Sequence, residues 1–220
     1  MAPKFDISLL PAIPNIQFEE AFWQVGVQLV AGIDEAGRGA LAGPVCVGAV
    51  ILPALPDLAN KLKGVRDSKQ MTPRQREIWA KEICQTAFSW QTGFASHEEI
   101  DDIGIVPATK LAAKRALDEL DPLPEHLLID ALLLPEVTIP QTSLIKGDAR
   151  SLSIAAASIL AKVTRDEYLR TQNELYPRYG FYSNKGYGTA QHRDALEKIG
   201  PCPIHRYSFA PLKHQAHLAH

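Results

Sequence analysis

Cysteine is scarce in this chain. The 220 residues include Cys46, Cys84 and Cys202, which form no CxxC pair and leave one cysteine without a possible partner. A disulfide scaffold needs paired cysteines, and a thiolate zinc site needs closely spaced ones. The sequence therefore argues against both and indicates inert thiols in a reducing compartment.

Long hydrophobic runs are also absent. Pro11, Pro14, Glu19 and Glu20 interrupt the N-terminal region where a secretion signal would have an unbroken apolar segment. No later run is long enough to cross a bilayer. We expect a soluble, cytoplasmic protein with no membrane partner, whose 46% of hydrophobic residues suffice for the core of one domain.

The chain lacks an excess of positive charge, since its formal net charge is −2. The charges are unevenly distributed: residues 61–81 contain seven Lys and Arg against two acids, whereas residues 97–136 contain ten acids against three bases. Charge position matters more than the sum for nucleic-acid binding. We interpret the acidic stretch as a solvated face, and the basic stretch as either a solvated face or a contact with a phosphate backbone.

The apolar pattern predicts a mixed α/β sheet. Strands are predicted at residues 29–33, 45–52, 90–94, 127–129 and 144–145. Helices are predicted at residues 73 to about 86, after Ser96, around 113–120, from about 153 to 174, and from 189 to a glycine stop at 200.

Carboxylates follow three of the predicted strands. Asp34 and Glu35 come after the first strand, Asp130 after the fourth and Asp148 after the fifth. We therefore expect them to meet at one edge of the sheet. Carboxylates are the preferred ligands of Mg²⁺ and Mn²⁺, and two such cations can support phosphodiester hydrolysis. Alternatively, Asp148 complements a helix dipole and Asp130 caps a turn.

Several ordered motifs over residues 29–211 resemble those of bacterial ribonuclease HII. They are Asp34-Glu35-Ala36-Gly37-Arg38-Gly39, Leu41-Ala42-Gly43-Pro44, Asp67-Ser68-Lys69, Lys146-Gly147-Asp148, residues 153–162 and Lys185-Gly186-Tyr187-Gly188-Thr189. The resemblance implies a ribonuclease H-like mixed β-sheet flanked by helices, with a helical C-terminal part. It divides the chain into an N-terminal extension of uncertain order (1–26), a catalytic domain (27–211) and a mobile tail (212–220).

The resemblance also implies the roles of individual residues. The catalytic residues and metal ligands are Asp34, Glu35, Asp130 and Asp148, which hold Mg²⁺ or Mn²⁺, with two ions present when substrate is bound. The substrate-binding residues are Gly37, Arg38, Gly39, Lys69, Lys146 and Tyr187. The Gly-Arg-Gly segment grips the ribonucleotide, whose 2′-hydroxyl distinguishes RNA from DNA, and the Tyr187 ring packs on the neighbouring sugar.

Other polar residues have two interpretations each. Lys162 and Arg165 contact phosphates or form surface ion pairs with Asp166 or Glu167. Tyr187 without its motif would be a half-buried structural aromatic, and His192 is better explained as a packed or capping residue than as a site residue. Asn184 departs from the family, which often has histidine before Lys-Gly-Tyr.

The implied activity is that of a metal-dependent endoribonuclease. It would cut the RNA strand of RNA/DNA hybrids and incise 5′ of single ribonucleotides in duplex DNA, leaving 3′-hydroxyl and 5′-phosphate ends, in ribonucleotide and RNA primer removal. We expect a monomer with no obligate protein partner. The alternatives are a catalytically silent hybrid-binding protein and ribonuclease HIII, which lacks the Gly-Arg-Gly segment and has a long additional N-terminal domain.

Overall fold

A five-stranded mixed sheet forms the centre of the computed structural model, which describes residues 6 and 10–214. Its strands are β1 (Val30–Ala36), β2 (Val45–Ile51), β3 (Ser89–Ala95), β4 (His126–Asp130) and β5 (Gln141–Leu144). Their order is β3-β2-β1-β4-β5. β1 pairs antiparallel with β2 and parallel with β4, β2 pairs antiparallel with β3, and β4 pairs parallel with β5. The predicted mixed sheet is confirmed.

Helices flank this sheet. They are α1 (Gln17–Trp23), α2 (Leu58–Lys61), α3 (Pro73–Thr86), α4 (His97–Ile103), α5 (Ile105–Asp118), α6 (Leu152–Leu175), α7 (Phe181–Asn184) and α8 (Ala190–Ile199). The predicted start signals are confirmed, because Thr72 and Ser96 form complete capping boxes at α3 and α4. Among the described residues, no helix has both the length and the apolar character needed to span a membrane.

Helix α6 lies close against the central strands because two strand residues lack side chains. A Cβ on Gly32 would lie 2.1 Å from the backbone carbon of Ser153, and one on Gly48 would lie 2.4 Å from the Ala157 carbonyl oxygen. Helix α5 packs on the opposite face of β2 and β3. This close approach places the start of α6 beside Gly32, two residues before Asp34.

The C-terminal segments form their own apolar cluster against the end of α6. Phe181, Leu196 and Leu212 pack with Leu169 of α6, and Leu212 is fully buried. Leu212, the first residue of the predicted mobile tail, is therefore tied to the core, and the predicted domain boundaries stay a prediction. Residues 215–220 lie outside the described residues.

Part of the N-terminal extension is also packed. Asn15 forms a parallel bridge with Ser151, and α1 places Phe18 and Phe22 against a cluster that contains Ile154 of α6. The sequence had left the order of this region open, because it carries none of the ordered motifs. The packing joins residues 15–23 to the segment that leads into α6.

Candidate active site

Three aspartates meet at one edge of the sheet. Carboxylate oxygens of Asp34, Asp130 and Asp148 all lie within 4.8 Å of one another. Ile33 of β1 pairs in parallel register with Ile129 of β4, so the next residues, Asp34 and Asp130, leave adjacent strands at the same edge. The expected convergence is confirmed for these three residues.

The turn that carries Asp148 is fixed to Asp130. The Gly147 N–H donates to Asp130 Oδ1 at 2.7 Å. Residue 147 must be small, because a Cβ there would lie 2.7 Å from Ile154 Cδ1. Lys146, just before it, adopts the left-handed conformation with φ 58° and completes the sharp turn out of β5. Two of the three carboxylates are thus held in one hydrogen-bonded unit.

The carboxylates repel one another in a buried setting. Burial, followed by the charges of Glu35 and Asp130, raises the pKa of Asp34 well above its usual value. Burial and the neighbouring Asp148 raise the pKa of Asp130 to about 6. Asp34 Oδ2 is buried and has no hydrogen-bond partner among the described residues. The cluster therefore favours a cation.

Lys69 supplies one positive charge to this cluster. Its ammonium group lies 3.1 Å from Asp148 Oδ2 and 3.7 Å from Asp67 Oδ1. Partial burial opposes its charge, but Asp148 and Asp34 raise the pKa of Lys69 above its usual value. The structure thus places the Lys69 side chain at the carboxylates, and its predicted phosphate contact stays a prediction.

The three aspartates fit a divalent metal ion. Their donors are all hard carboxylate oxygens, the chemistry that Mg²⁺ and Mn²⁺ prefer. Asp34 Oδ2 provides a buried acceptor that no described residue uses. Glu35 does not belong to the grouped oxygens; its Oε1 accepts from Arg38 at 3.1 Å. A metal-binding role for Glu35 stays a prediction.

A cleft of about 270 Å³ joins Asp34 and Asp130 to the predicted substrate residues, and Asp148 lies beside these two aspartates. It is lined by Asp34, Glu35, Asp130, residues 36–39, Ser68, Lys69, Lys162 and Tyr187. Lys146 is exposed and is not among the residues that line this cleft. The structure therefore brings together the predicted site residues except Lys146, whose phosphate contact stays a prediction.

The Gly37-Arg38-Gly39 segment contacts two arginine side chains of the protein, Arg165 and Arg206. Gly37 has φ +95°, and a Cβ there would lie 2.0 Å from Arg165 Nε, so both backbone geometry and space require glycine. A Cβ on Gly39 would meet no described atom within 4 Å, which leaves open space on the cleft side for a ligand. The Arg38 carbonyl accepts from Arg206 at 3.0 Å.

Two buried arginines anchor this segment, and one corrects the sequence interpretation. Arg165 is fully buried and donates to the carbonyls of Ala42, Pro44 and Lys185 at 2.8–3.0 Å. Its predicted roles as a phosphate contact or a surface ion pair are both wrong, because these carbonyls use its guanidinium donors inside the protein. The Lys162–Asp166 ion pair is present at 2.6 Å. Arg206 lies outside the motifs that carry the family resemblance, so the sequence does not predict its role.

Tyr187 stands at the end of a tight turn. Its half-buried ring lies 5.3 Å from both Lys162 Nζ and the Arg165 guanidinium carbon. Asn184 shapes the turn, since its Oδ1 accepts from the Gly186 N–H at 2.8 Å and its carbonyl accepts from the Tyr187 N–H at 2.9 Å. Asn184, which stands where family members often have histidine, therefore helps to hold the turn that carries Tyr187.

A buried histidine pair supports the same turn. His192 Nδ1 lies 3.0 Å from the Tyr187 carbonyl, and its Nε2 lies 3.0 Å from Nε2 of His205. The carbonyl only accepts, so His192 is protonated on Nδ1 and accepts from His205 through Nε2. His192 is therefore a packed structural residue, as predicted.

Glu19 is a buried residue that the sequence analysis missed. Its Oε1 accepts from the hydroxyls of Ser151 and Ser153, both at 2.6 Å, and from the Ser153 N–H at 2.9 Å. These donors lie at the N-terminus of α6, where negative charge is favourable, three to five residues after Asp148. No motif surrounds Glu19, so only its buried contacts identify it.

We expect Glu19→Ala to lower the free energy of unfolding by at least about 2 kcal/mol, because it leaves three buried donors without their acceptor. Urea denaturation measures this loss. Glu20→Ala is the matched control, since Glu20 is exposed on the same helix. Equal unfolding midpoints for the two variants would contradict this role for Glu19.

The mixed sheet, with aspartates gathered where its central parallel strands end and a long helix packed behind them, defines the class of nucleases with the ribonuclease H-like fold. Solved structures share this architecture. Ribonuclease H2 from Pyrococcus horikoshii OT3 is 26% identical with a TM-score of 0.67, over 84% of this chain and 95% of that one. Ribonuclease HII from Archaeoglobus fulgidus, solved in a complex with PCNA, is 28% identical with a TM-score of 0.69, over 81% and 93% of the chains.

The sequence comparisons identify the family within this class. The ribonuclease HII family model matches residues 31–212. Ribonuclease HII from Synechococcus sp. (strain JA-3-3Ab) is 52% identical over 200 residues, which cover 91% of this chain and 90% of the relative. The chain belongs to the ribonuclease HII family and is an endoribonuclease of the ribonuclease H type.

Proposed function

We propose that the protein uses Mg²⁺ or Mn²⁺ to cut the RNA strand of RNA/DNA hybrids and to incise 5′ of single ribonucleotides in duplex DNA. The products carry 3′-hydroxyl and 5′-phosphate ends. The observation that carries the proposal is the cleft that combines Asp34 and Asp130, with Asp148 beside them, with the Gly37–Gly39 segment and Tyr187. Such an enzyme serves ribonucleotide and RNA primer removal in the cytoplasm.

The carboxylate cluster would hold the metal. Asp34, Asp130 and Asp148 would bind it, and Glu35 would join them with substrate present. Bound divalent ions supply charge neutralisation at the phosphate and activation of a water. Lys69 balances the aspartates in the absence of metal, and its largely exposed side chain is able to turn towards a substrate phosphate.

The Gly37–Gly39 segment would read the ribose. The open space beside Gly39 allows a sugar edge to approach the backbone, where N–H and carbonyl groups can hydrogen-bond a 2′-hydroxyl. Arg206 donates to the Arg38 carbonyl, while Arg165 packs against Gly37 and donates to the carbonyls of Ala42 and Pro44 that follow the segment. A rigid reader loses little conformational entropy when the ribonucleotide binds, which favours discrimination.

We expect Arg38→Ala to weaken cleavage at a lone ribonucleotide about tenfold, and at least as much as in a continuous hybrid. A continuous RNA strand can bind in several positions, whereas a lone ribonucleotide offers a single 2′-hydroxyl and so a single binding position. Contacts that are lost beside it are therefore not replaced. Steady-state kinetics on both substrates measures the effect, and Arg178→Ala, which changes another exposed arginine, is the control. Equal, small losses of cleavage activity on both substrates would show that Arg38 only shapes the turn and does not contact the substrate.

The decisive test of the proposed function is cleavage of a DNA duplex that contains one ribonucleotide, with the product ends mapped. The proposal requires metal-dependent incision 5′ of the ribonucleotide and no cleavage of the all-DNA duplex. Hybrid binding without cleavage in Mg²⁺ or Mn²⁺ would instead identify a catalytically silent binding protein.

The protein is proposed to act as a monomer without an obligate protein partner. The Archaeoglobus relative was solved with PCNA, so a replication clamp is the first protein partner to test. Analytical ultracentrifugation, alone and with a clamp protein, would detect either a dimer or a clamp complex.

A further inference from the structure

A second cavity of about 380 Å³ adjoins the active-site cleft. The two share Lys162 and Tyr187 as lining residues. The second cavity is otherwise lined by Pro73, Arg76, Asp166, Arg170, Tyr182, Ser183, Asn184 and Lys185. It therefore lies on the Tyr187 side of the carboxylate cluster, between the start of α3, the middle of α6 and the segment that supports Tyr187.

The lining of this cavity contains four cations. Arg170 pairs with Glu77 and Glu167. Arg76, Lys162 and Lys185 contribute three further positive charges, against one lining carboxylate from Asp166. That carboxylate is already used: it lies 2.6 Å from Lys162 Nζ and 3.6 Å from an Arg76 nitrogen. The positive end of the α3 dipole also faces the cavity through Pro73. An anion would offset this charge.

Lys185 is the cavity cation without an acidic partner. Its ammonium group donates to the Tyr182 carbonyl, and no carboxylate of the described residues lies within 4.0 Å of it. Burial lowers the pKa of Lys185, as do the charges of Arg170 and Lys162, whereas the charge of Asp166 opposes this shift. A ligand anion would relieve this electrostatic cost.

The backbone holds Lys185 in place. Its φ is 51°, a left-handed conformation that non-glycine residues rarely adopt. Gly186 follows with φ +79°, and a Cβ there would lie 2.5 Å from the Ala42 carbonyl oxygen. This one turn presents Lys185 to the second cavity and Tyr187 to the boundary of both cavities.

We propose that the second cavity binds the backbone phosphates of the DNA segment that follows the ribonucleotide. The inference rests on the proposed function, with the Tyr187 ring against the sugar that neighbours the ribonucleotide on its 3′ side. A nucleic-acid strand carries one phosphate per about 3.4 Å of helix axis. A strand with its scissile phosphate at the carboxylates therefore brings the next phosphates past Tyr187 and into this cavity.

Lys185→Met tests the charge while retaining much of the aliphatic length. We expect a three- to tenfold weaker affinity for duplex DNA with one ribonucleotide, an unchanged kcat, and a salt slope of affinity reduced by about 0.9. Lys198→Met on α8 is the matched control, because Lys198 is exposed and pairs with Asp194 away from both cavities. Equal melting temperatures of both variants and the parent exclude a folding defect.

Neutral backbone linkages locate the contact. Single methylphosphonates are placed at each of the first four linkages 3′ of the ribonucleotide. We expect one or two positions to weaken parental binding and to have no further effect in Lys185→Met. The proposal would be overturned if a methylphosphonate weakened the affinity of Lys185→Met as much as that of the parent. It would also be overturned if no position weakened the affinity of the parent.

A third measurement separates other outcomes. If inorganic phosphate competes at constant ionic strength regardless of the neutral linkages, the cavity is a free-anion site and the proposal is wrong. If the parent incises correctly but Lys185→Met matches it in affinity and salt slope, only the cavity assignment fails. If the parent does not incise the duplex, the proposed function itself fails.

Discussion

Asp34→Asn is expected to fold and to lose nearly all cleavage, on the order of a thousandfold. The substitution keeps the shape of the side chain but removes a charge from the aspartate cluster, where metal charge stabilisation is worth several kcal/mol. In the parent protein, Asp34 is buried and its Oδ2 has no hydrogen-bond partner among the described residues. A bound cation would supply the missing partner and offset the negative charge.

Cleavage rates in saturating Mg²⁺ and Mn²⁺, together with calorimetric titration of the substrate-free protein with Mn²⁺, test this expectation. Asp148→Asn should behave in the same way. Asp194→Asn is the control, since Asp194 is an exposed carboxylate on α8. Near-normal turnover of Asp34→Asn, or unchanged Mn²⁺ binding, would remove Asp34 from the metal site.

The same variant gives a stability readout in the absence of metal. Burial and neighbouring carboxylates raise the pKa of Asp34, so the folded state holds this proton more tightly than the unfolded state. Ionisation of Asp34 therefore destabilises the fold as pH rises above its unfolded-state pKa of about 4. In EDTA, Asp34→Asn should melt higher than the parent at pH 7, and the difference should shrink as the pH falls from 7 towards about 4.

The sequence predicts the central parts of this fold because the buried strands are strongly apolar and the helix starts carry complete caps. The fifth strand is the exception. Predicted at residues 144–145, it lies at Gln141–Leu144, and its first three residues are polar. β5 lies at the edge of the sheet, where a strand is less buried than the central strands and can contain more polar residues. The hydrophobic pattern alone therefore does not locate it.

The candidate site divides in a similar way. The aspartates were predictable because each follows a strand, and strands of one sheet bring their ends together. Arg165 and Glu19 were not predictable, because their roles depend on which carbonyls or hydroxyls lie opposite them after folding. Neither spacing nor composition specifies those partners.

Variants of Tyr187 distinguish a role in substrate contact from a purely structural role. We expect Tyr187→Phe to keep most activity and Tyr187→Ala to lose it about tenfold to a hundredfold, since ring stacking is worth about 1–3 kcal/mol. The structure supports a contact through the ring face, because the half-buried ring lines the cleft and is flanked by Lys162 and Arg165. The loss should be greater where a deoxynucleotide follows the ribonucleotide.

Melting curves and junction cleavage on the same preparations decide between the two roles. Tyr207→Ala is the control for loss of a partly exposed tyrosine ring outside the cleft. The cations beside Tyr187 make some loss of stability in Tyr187→Ala expected, so a lower melting temperature alone does not distinguish the roles. Junction preference does: a structural tyrosine predicts intact activity per folded molecule on every substrate. Unchanged preference in Tyr187→Ala would therefore exclude the ring from substrate binding, whereas loss confined to junction substrates would place it against the sugar.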